Sequence, residues 1–197
     1  MLDFLPMDLS PGWDIPKFTR GEILRQPQVP KMLHLVNPRT VLGATWWNKT
    51  RQVAYATNNY CCWACGVHKS RSYRYRLEAH ESYTIDYREG LAELREVQAL
   101  CSLCHGFIHM GRTNALWSKR EISTRLYLDT VVHGYWILAQ AGLKPWPHTR
   151  EIFEPDYTPE SEPAIAPWGK WRMKIGDRLY QSPFKSFAEW ERYFNHG

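Results

Sequence analysis

The chain has 197 residues, which is enough for one substantial domain or for a domain with a smaller appendage. With 23% charged and 44% hydrophobic residues, its composition is that of a globular protein and excludes a wholly disordered chain. A formal net charge of +5, together with 10 Trp and 11 Tyr, favours a polyanionic partner such as nucleic acid, although many soluble proteins are mildly basic.

The N-terminal residues 1–39 are rich in proline and show no lasting hydrophobic periodicity. We interpret them as an extended arm that wraps the domain, with a short helical turn near Gly21 to Gln26. The alternative is a mobile tail. Because the first ten residues lack the basic start of a signal peptide and no membrane span is visible, a reducing cytoplasmic setting without a membrane partner is expected.

A helix is predicted from Thr45, its N-cap, to about Thr57. Asn58 and Asn59 end it, because asparagine tolerates left-handed backbone geometry. Its proposed stripe consists of Trp46, Thr50, Val53 and Thr57, with Trp47 and Ala54 alongside.

A run of alternating basic and aromatic residues follows, over residues 68–76. This alternation suits a strand or ribbon that presents cations to phosphates and rings to bases. A solvated strand edge, whose charges prevent aggregation, explains the run equally well. The candidate nucleic-acid-binding residues are Lys69, Arg71, Arg74 and Arg76.

The next segment has the pattern of a β-hairpin, with a strand over 83–87, a turn over 88–90 and a return strand over 91–100. A helix that carries His105 and His109 follows, and Gly111 can stop it. A capping box at 118–121 then predicts a core helix that ends at Gly142, within which His133 is expected to be structural. The apolar face of this helix is predicted to consist of Ile122, Leu126, Val132, Tyr135, Trp136 and Ala139.

The C-terminal part begins with an acidic, proline-punctuated segment over 150–167, which we interpret as a linker. Residues 168–197 are predicted to form a small Trp-rich module: a basic hairpin with its turn at Gly176-Asp177, and a short helix over 186–194. This module either docks on the main domain or forms a separate contact surface.

All five cysteines lie in two clusters rather than scattered as in a disulfide framework: Cys61, Cys62, Cys65, Cys101 and Cys104. Two Cys-x-x-Cys pairs separated by a few dozen residues are typical of a tetrahedral zinc site. Cys61 is spare or competes with Cys62, whose spacing to Cys65 is better. His105 and His109 lie one helical turn apart and can reach a second ion, with His80 as a third ligand.

The order Cys-x-x-Cys-Gly, Leu-Glu-Ala-His and Leu-Cys-x-x-Cys-His-x-x-x-His resembles the HNH endonuclease family over roughly residues 47–112. The resemblance implies an α+β protein whose zinc-stabilised ββα-metal core, with flanking helices, occupies residues 40–149. It implies a structural zinc on Cys62, Cys65, Cys101 and Cys104. It also implies a second divalent cation, Mg²⁺, Mn²⁺, Ni²⁺ or Zn²⁺, on His80, His105 and His109.

The family hydrolyses phosphodiester bonds, and a histidine activates the attacking water. Here His80-Glu81 stands where the family has His-His or Asp-His, so Glu81 takes the position of the catalytic base. Shifting the register by one makes His80 the base, but places Ala79, which cannot bind metal, in the ligand position. Glu96 occupies the position of an asparagine that orients the base. Bacterial and phage proteins that the sequence resembles have the same His-Glu arrangement.

Three functions remain open from the sequence. The first is a metal-dependent endonuclease that acts on DNA, with Glu81 or His80 as base. The second is a catalytically inactive HNH-fold zinc protein that binds nucleic acid or a protein partner. In the third, the three histidines only hold further structural zinc; against it, three ligands leave one coordination position open, as in catalytic zinc sites.

Overall fold

The computed structural model describes residues 15–27, 29–144 and 165–195. Within these residues the protein is a mixed α+β structure with five helices and one four-stranded sheet. The helices are α1 (Pro38–Thr57), α2 (Ser102–Ile108), α3 (Met110–Ser118), α4 (Thr124–Gln140) and α5 (Phe187–Asn195). The strands are β1 (Glu78–Asp86), β2 (Leu91–Leu100), β3 (Arg172–Ile175) and β4 (Arg178–Gln181). The start of the predicted arm and all of the predicted linker except 165–167 lie outside the described residues.

The chain packs as two compact units, each built from separate stretches of sequence. The first unit comprises the described parts of Met1–Leu24, Arg51–His80 and Gln98–Leu143, and it holds both Cys pairs and α2 to α4. The second unit comprises those of Arg25–Thr50, Glu81–Val97 and Lys144–Gly197, with β3, β4 and α5.

The part of the N-terminal arm that belongs to the first unit, described over residues 15–24, is held there by a buried asparagine. The Asn58 side chain accepts hydrogen bonds from the backbone N–H groups of Lys17 (2.8 Å) and Phe18 (3.1 Å), and donates one to the Phe18 carbonyl (3.1 Å). A 3-10 helix over Gly21–Arg25 lies where the sequence predicts a helical turn.

Helix α1 starts earlier than predicted and is interrupted at Gly43, whose φ of 84° is not helical. Its end agrees with the sequence, since Asn59 has a φ of 53° and the Tyr60 N–H closes the last turn on the Tyr55 carbonyl (2.8 Å). The predicted stripe is wrong at Val53, which is 60% exposed, because the neighbouring Ala54 is the residue that is buried.

The basic run over 69–76 is not the strand that its alternation predicts. It forms two short 3-10 helices, Lys69–Arg71 and Tyr73–Tyr75. The His68 ring accepts the Ser70 N–H and starts the first of them, while Arg74 interrupts the second with a left-handed φ of 57°. Left-handed residues do not alternate side chains as a strand does, so the side chains of this run point in several directions.

The hairpin is longer than predicted, because β1 begins at Glu78 rather than at residue 83. β2 has the predicted bounds, and the two strands are hydrogen-bonded neighbours. The turn between them is short, which makes the pair antiparallel. The Asp86 carboxylate accepts the N–H groups of Arg88 and Glu89 (both 3.0 Å), and Gly90 adopts a φ of 63°. β1 therefore carries His80 in its interior.

Within the second unit, β3 and β4 continue the sheet beyond β2. β3 pairs in parallel with β2, from Leu91 opposite Arg172 to Glu93 opposite Lys174, and β4 pairs antiparallel with β3. Trp171 is fully buried, and its indole N–H donates to the Ala166 carbonyl (2.8 Å). The core of this unit consists of Leu33, Val36, Ala92, Ala166, Trp171, Met173 and Ile175.

Helices α2 and α3 follow one another without the predicted stop at Gly111. His109, with φ −97° and ψ 45°, separates them, and Gly111 lies within α3. Helix α2 packs close to α4, since a Cβ on Gly134 would overlap the Phe107 ring. Glycine is therefore required at this helix crossing.

Two predictions for α4 are wrong. Ser118 ends α3, and Ser123 caps α4 by accepting the Leu126 N–H (3.2 Å). The buried face consists of Thr130, Gly134, Ile137 and Leu138. Val132 and Trp136 are more than half exposed, because small residues rather than large ones face α2.

Candidate metal centre

Four cysteines from the two Cys pairs converge in the first unit. Their sulfur atoms all lie within 4.8 Å of one another: Cys62, Cys65, Cys101 and Cys104. The Cys65 and Cys101 sulfurs are 3.7 Å apart. Two thiolates on one tetrahedral zinc, with Zn–S bonds of about 2.3 Å, would be about 3.8 Å apart. The group therefore has the composition and spacing for a structural zinc ion.

The first Cys pair is shaped by a tight turn. The Cys62 N–H donates to the Val67 carbonyl (2.8 Å), and the Gly66 N–H returns to the Cys62 carbonyl (2.9 Å). Gly66 has a φ of +76°, and a Cβ there would lie 3.0 Å from the Thr19 side chain. The Trp63 N–H donates to the Ala99 carbonyl (2.8 Å), which ties this turn to the end of β2. The glycine after Cys65 thus allows the turn that brings the first Cys pair into the candidate zinc site.

The second Cys pair lies at the start of α2. Cys101 is the N-cap, and its sulfur accepts the Cys104 N–H (3.5 Å). Hydrogen bonding with the Cys104 and Cys62 thiols holds the pKa of Cys101 well below its usual value. A helix N-terminus also favours a thiolate.

Two residues near the cysteines lie outside the group. Cys61 is fully buried but is not one of the four converging cysteines, whereas Cys62 is, as its better spacing to Cys65 predicts. The His133 Nε2 atom lies 3.4 Å from the Cys104 sulfur and can donate a hydrogen bond to it. His133 is therefore placed to orient the Cys104 sulfur of the candidate zinc site by this hydrogen bond, consistent with the structural role that the sequence predicts.

Three histidines form a second group in the same unit. His80 comes from β1, His105 from α2 and His109 from the residue that follows α2. One ring nitrogen of each lies within 4.8 Å of the others, and His109 Nε2 is 3.2 Å from His80 Nδ1. Two imidazole nitrogens on one tetrahedral ion would be about 3.3 Å apart, given bonds of 2.0–2.1 Å. This geometry can hold a metal ion.

A glutamate that the sequence analysis missed orients one of these rings. Glu78 Oε2 lies 2.5 Å from His105 Nδ1, which leaves His105 Nε2 for an ion. This hydrogen bond is the main reason why the pKa of Glu78 is lowered. Carboxylate–imidazole pairs of this kind accompany metal-binding histidines in many proteins. The spacing of Glu78 and His80 could have pointed to this contact, since residues two apart on a strand share a face.

The environment keeps two of the rings neutral. Burial, followed by the charges of His109 and His105, lowers the pKa of His80 to about 3. Burial and the charge of His105, followed by that of Arg112, lower the pKa of His109 to about 4, although Glu78 opposes this. At neutral pH both rings are therefore unprotonated, which is the form that binds a metal ion.

The two glutamates that the sequence analysis singled out are not members of the histidine group. Glu81 follows His80 within β1, and successive side chains of a strand point to opposite faces. Tyr83, two residues further on, has a raised pKa because of burial and then the charge of Glu81. Glu96 lies on β2. The role of Glu81 as catalytic base stays a prediction.

A cavity of about 400 Å³ adjoins the histidine group within the first unit, and its lining includes His105 and Glu78. Three arginines also line it, namely Arg74, Arg76 and Arg112. We call this cavity the arginine groove. Of the four basic residues proposed to contact nucleic acid, Arg74 and Arg76 line the same cavity as His105, whereas Lys69 and Arg71 do not line it.

The fold and the cysteine geometry define an α+β protein with a candidate structural zinc site. No protein family, curated protein or solved structure gives a significant match to the chain. Within the part of the chain that the structure describes, no helix is both long and apolar enough to cross a membrane.

Proposed function

We propose that the protein is a metal-dependent endonuclease of the HNH type that hydrolyses phosphodiester bonds in DNA. The observation that supports this proposal most strongly is the convergence of His80, His105 and His109 beside the arginine groove. A structural zinc site alone needs neither the second ligand group nor the neighbouring cationic surface.

The chain's own residues supply two parts of the chemistry. His80, His105 and His109 would hold a divalent cation such as Mg²⁺, Mn²⁺, Ni²⁺ or Zn²⁺, and Glu78 orients His105. A cation bound there stabilises the charge on the scissile phosphate and the leaving oxygen. The arginines of the groove attract the DNA backbone and position its phosphates. Glu81 is the proposed base, and His80 is the alternative.

A second candidate function is a catalytically inactive protein of the same fold that binds nucleic acid or a protein partner. The departures from the family pattern, with Glu81 and Glu96 in place of the usual histidine and asparagine, favour this alternative. The arginine groove would then bind a polyanion without cleaving it. Tight, salt-sensitive binding of DNA without strand scission would distinguish this function from that of a nuclease.

Plasmid cleavage with added Mg²⁺, Mn²⁺, Ni²⁺ or Zn²⁺ tests the proposal. We expect the unmodified protein to nick DNA, and we expect His80→Ala and His105→Ala to abolish nicking. His34→Gln is the matched control, since His34 lies in the second unit and outside the histidine group. Nicking that survives both alanine substitutions would refute the assigned site.

A further inference from the structure

A second cavity of about 280 Å³ lies in the first unit, between the end of α1 and the segment over 69–77. We call it the tyrosine pocket. It is lined by Arg51, Gln52, Tyr55, Tyr60, Lys69, Tyr75, Arg76 and Leu77. Its volume is close to the lower end of the range for small-molecule sites, about 300–1,000 Å³, and suits one nucleotide rather than a length of duplex.

The lining of the tyrosine pocket combines two kinds of chemistry. Three side chains are basic, three are phenol rings and none is acidic. The Lys69 ammonium lies 4.1 Å from the centre of the Tyr60 ring, in a cation–π contact. Tyr75 is 79% exposed, although a tyrosine ring is largely apolar. Cations suit a phosphate and exposed rings suit a planar base, so the lining matches both halves of a nucleotide.

The backbone between the two cavities is held in an unfavourable conformation. Arg74 and Tyr75 are consecutive left-handed residues, with φ values of 57° and 53°. Each is unfavourable for a residue with a Cβ atom, and such conformations concentrate at ligand sites. Arg74 lines the arginine groove, Tyr75 lines the tyrosine pocket and Arg76 lines both. The strained segment therefore presents adjacent side chains to two adjacent cavities.

We propose that the tyrosine pocket binds one unpaired nucleotide of a DNA strand. Its base stacks on Tyr60 and Tyr75, and its phosphate lies on Lys69 and Arg76. The inference rests on the proposed function for the identity of the polymer, and it adds that the protein prefers single-stranded or locally opened DNA. Since Arg76 lines both cavities, the neighbouring phosphate of the same strand enters the arginine groove beside His105.

Binding of a short fluorescent oligonucleotide to the zinc-loaded protein, without any other divalent cation, tests this proposal. Single-stranded DNA should bind more tightly than the same sequence as a duplex. Tyr60→Ala and Tyr75→Ala should each weaken single-strand binding by about 5- to 150-fold, the range for the loss of one base–aromatic stack. Tyr75→Phe should retain the affinity, because stacking needs the ring and not the hydroxyl. Tyr193→Ala, an exposed tyrosine outside the pocket, is the matched control.

Unchanged single-strand affinity in both alanine variants would overturn the inference. So would a preference for the duplex, or equal competition by an acidic peptide. The plasmid assay separates the two proposals. If DNA is not cut but the tyrosine variants bind single strands weakly, the nuclease proposal fails and the pocket stands. If DNA is cut and the tyrosine variants bind normally, only the pocket is refuted.

Discussion

At the scale of single residues, Glu78 is the carboxylate that orients a ring of the histidine group. Its carboxylate bonds to His105 Nδ1 and is also 3.5 Å from the Arg76 guanidinium. We predict that Glu78→Gln weakens binding of a divalent cation at the histidines by about 10- to 100-fold, because the ring loses its orienting partner. Calorimetric titration with Mn²⁺ measures this. Glu93→Gln, which removes a carboxylate paired with Lys174, should leave the affinity unchanged.

His34 gives the second unit a dependence on pH. Its Nδ1 atom accepts the Trp190 indole N–H (3.1 Å), so the ring is neutral at this nitrogen. Burial, followed by the charge of Lys31, lowers its pKa from 6.5. Below about pH 6.5 the unfolded chain therefore binds a proton that the folded chain resists, and stability falls as the pH falls toward the folded pKa.

We expect His34→Gln to reduce this loss. Urea unfolding at pH 7.5 and pH 5 should show a smaller decrease in the free energy of unfolding for the variant than for the unmodified chain. The other histidines contribute equally to the pH dependence of the free energy of unfolding in both proteins, so their contribution cancels in the comparison. Equal decreases in the two proteins would contradict the role of His34.

At the scale of secondary-structure elements, β3 joins the C-terminal hairpin to β2 by parallel pairing, and Trp171, the residue just before β3, is fully buried. We predict that Trp171→Ala lowers the free energy of unfolding by about 3–5 kcal/mol, because it leaves a large cavity and removes the hydrogen bond to Ala166. Chemical denaturation measures this. Trp136→Ala, at a 56% exposed ring, should cost much less. Equal costs would show that Trp171 does not hold this core.

The sequence predicted local features better than long-range ones. The alternation of Trp171, Met173 and Ile175 predicted the C-terminal hairpin, since period-two burial is a local signal. Its parallel pairing with β2 was not predictable, because the local sequence carries no signal for a partner strand some 80 residues away. The basic run over 69–76 misled for a related reason: its strand-like alternation was overridden by the left-handed backbone at Arg74 and Tyr75.

The cysteine group and the histidine group were also predictable only in their local features. Cysteine and histidine spacing was sufficient to predict which side chains converge, because ligand spacing within a turn or along a helix is a local signal. Glu78 and His133 were not identified as supporting residues, since their contacts depend on how β1 and α4 approach α2. The exposed face of α4 was missed because large apolar side chains were taken as core, whereas Gly134 and Thr130 make the close approach.

At the scale of the whole molecule, a zinc ion on the four cysteines would join the turn of the first Cys pair to the start of α2. The same helix carries His105. Loss of zinc should therefore disturb the histidine group as well. We predict that Cys104→Ser lowers the melting temperature by about 10 °C or more and abolishes zinc retention. Cys61→Ala, at a buried cysteine outside the group, should retain zinc. Differential scanning calorimetry with metal analysis checks both, and zinc retention by Cys104→Ser would refute its role as a ligand.

The most direct test of the account is the metal content of the purified chain and its histidine variants, measured by mass spectrometry before and after equilibration with Mn²⁺. We predict one tightly held zinc in every protein whose cysteines are intact. We predict a second bound cation in the unmodified chain and in Glu81→Gln, but not in His80→Ala or His105→Ala. A chain without zinc, or a second cation that survives both histidine substitutions, would contradict the central claim that these two groups are separate metal sites.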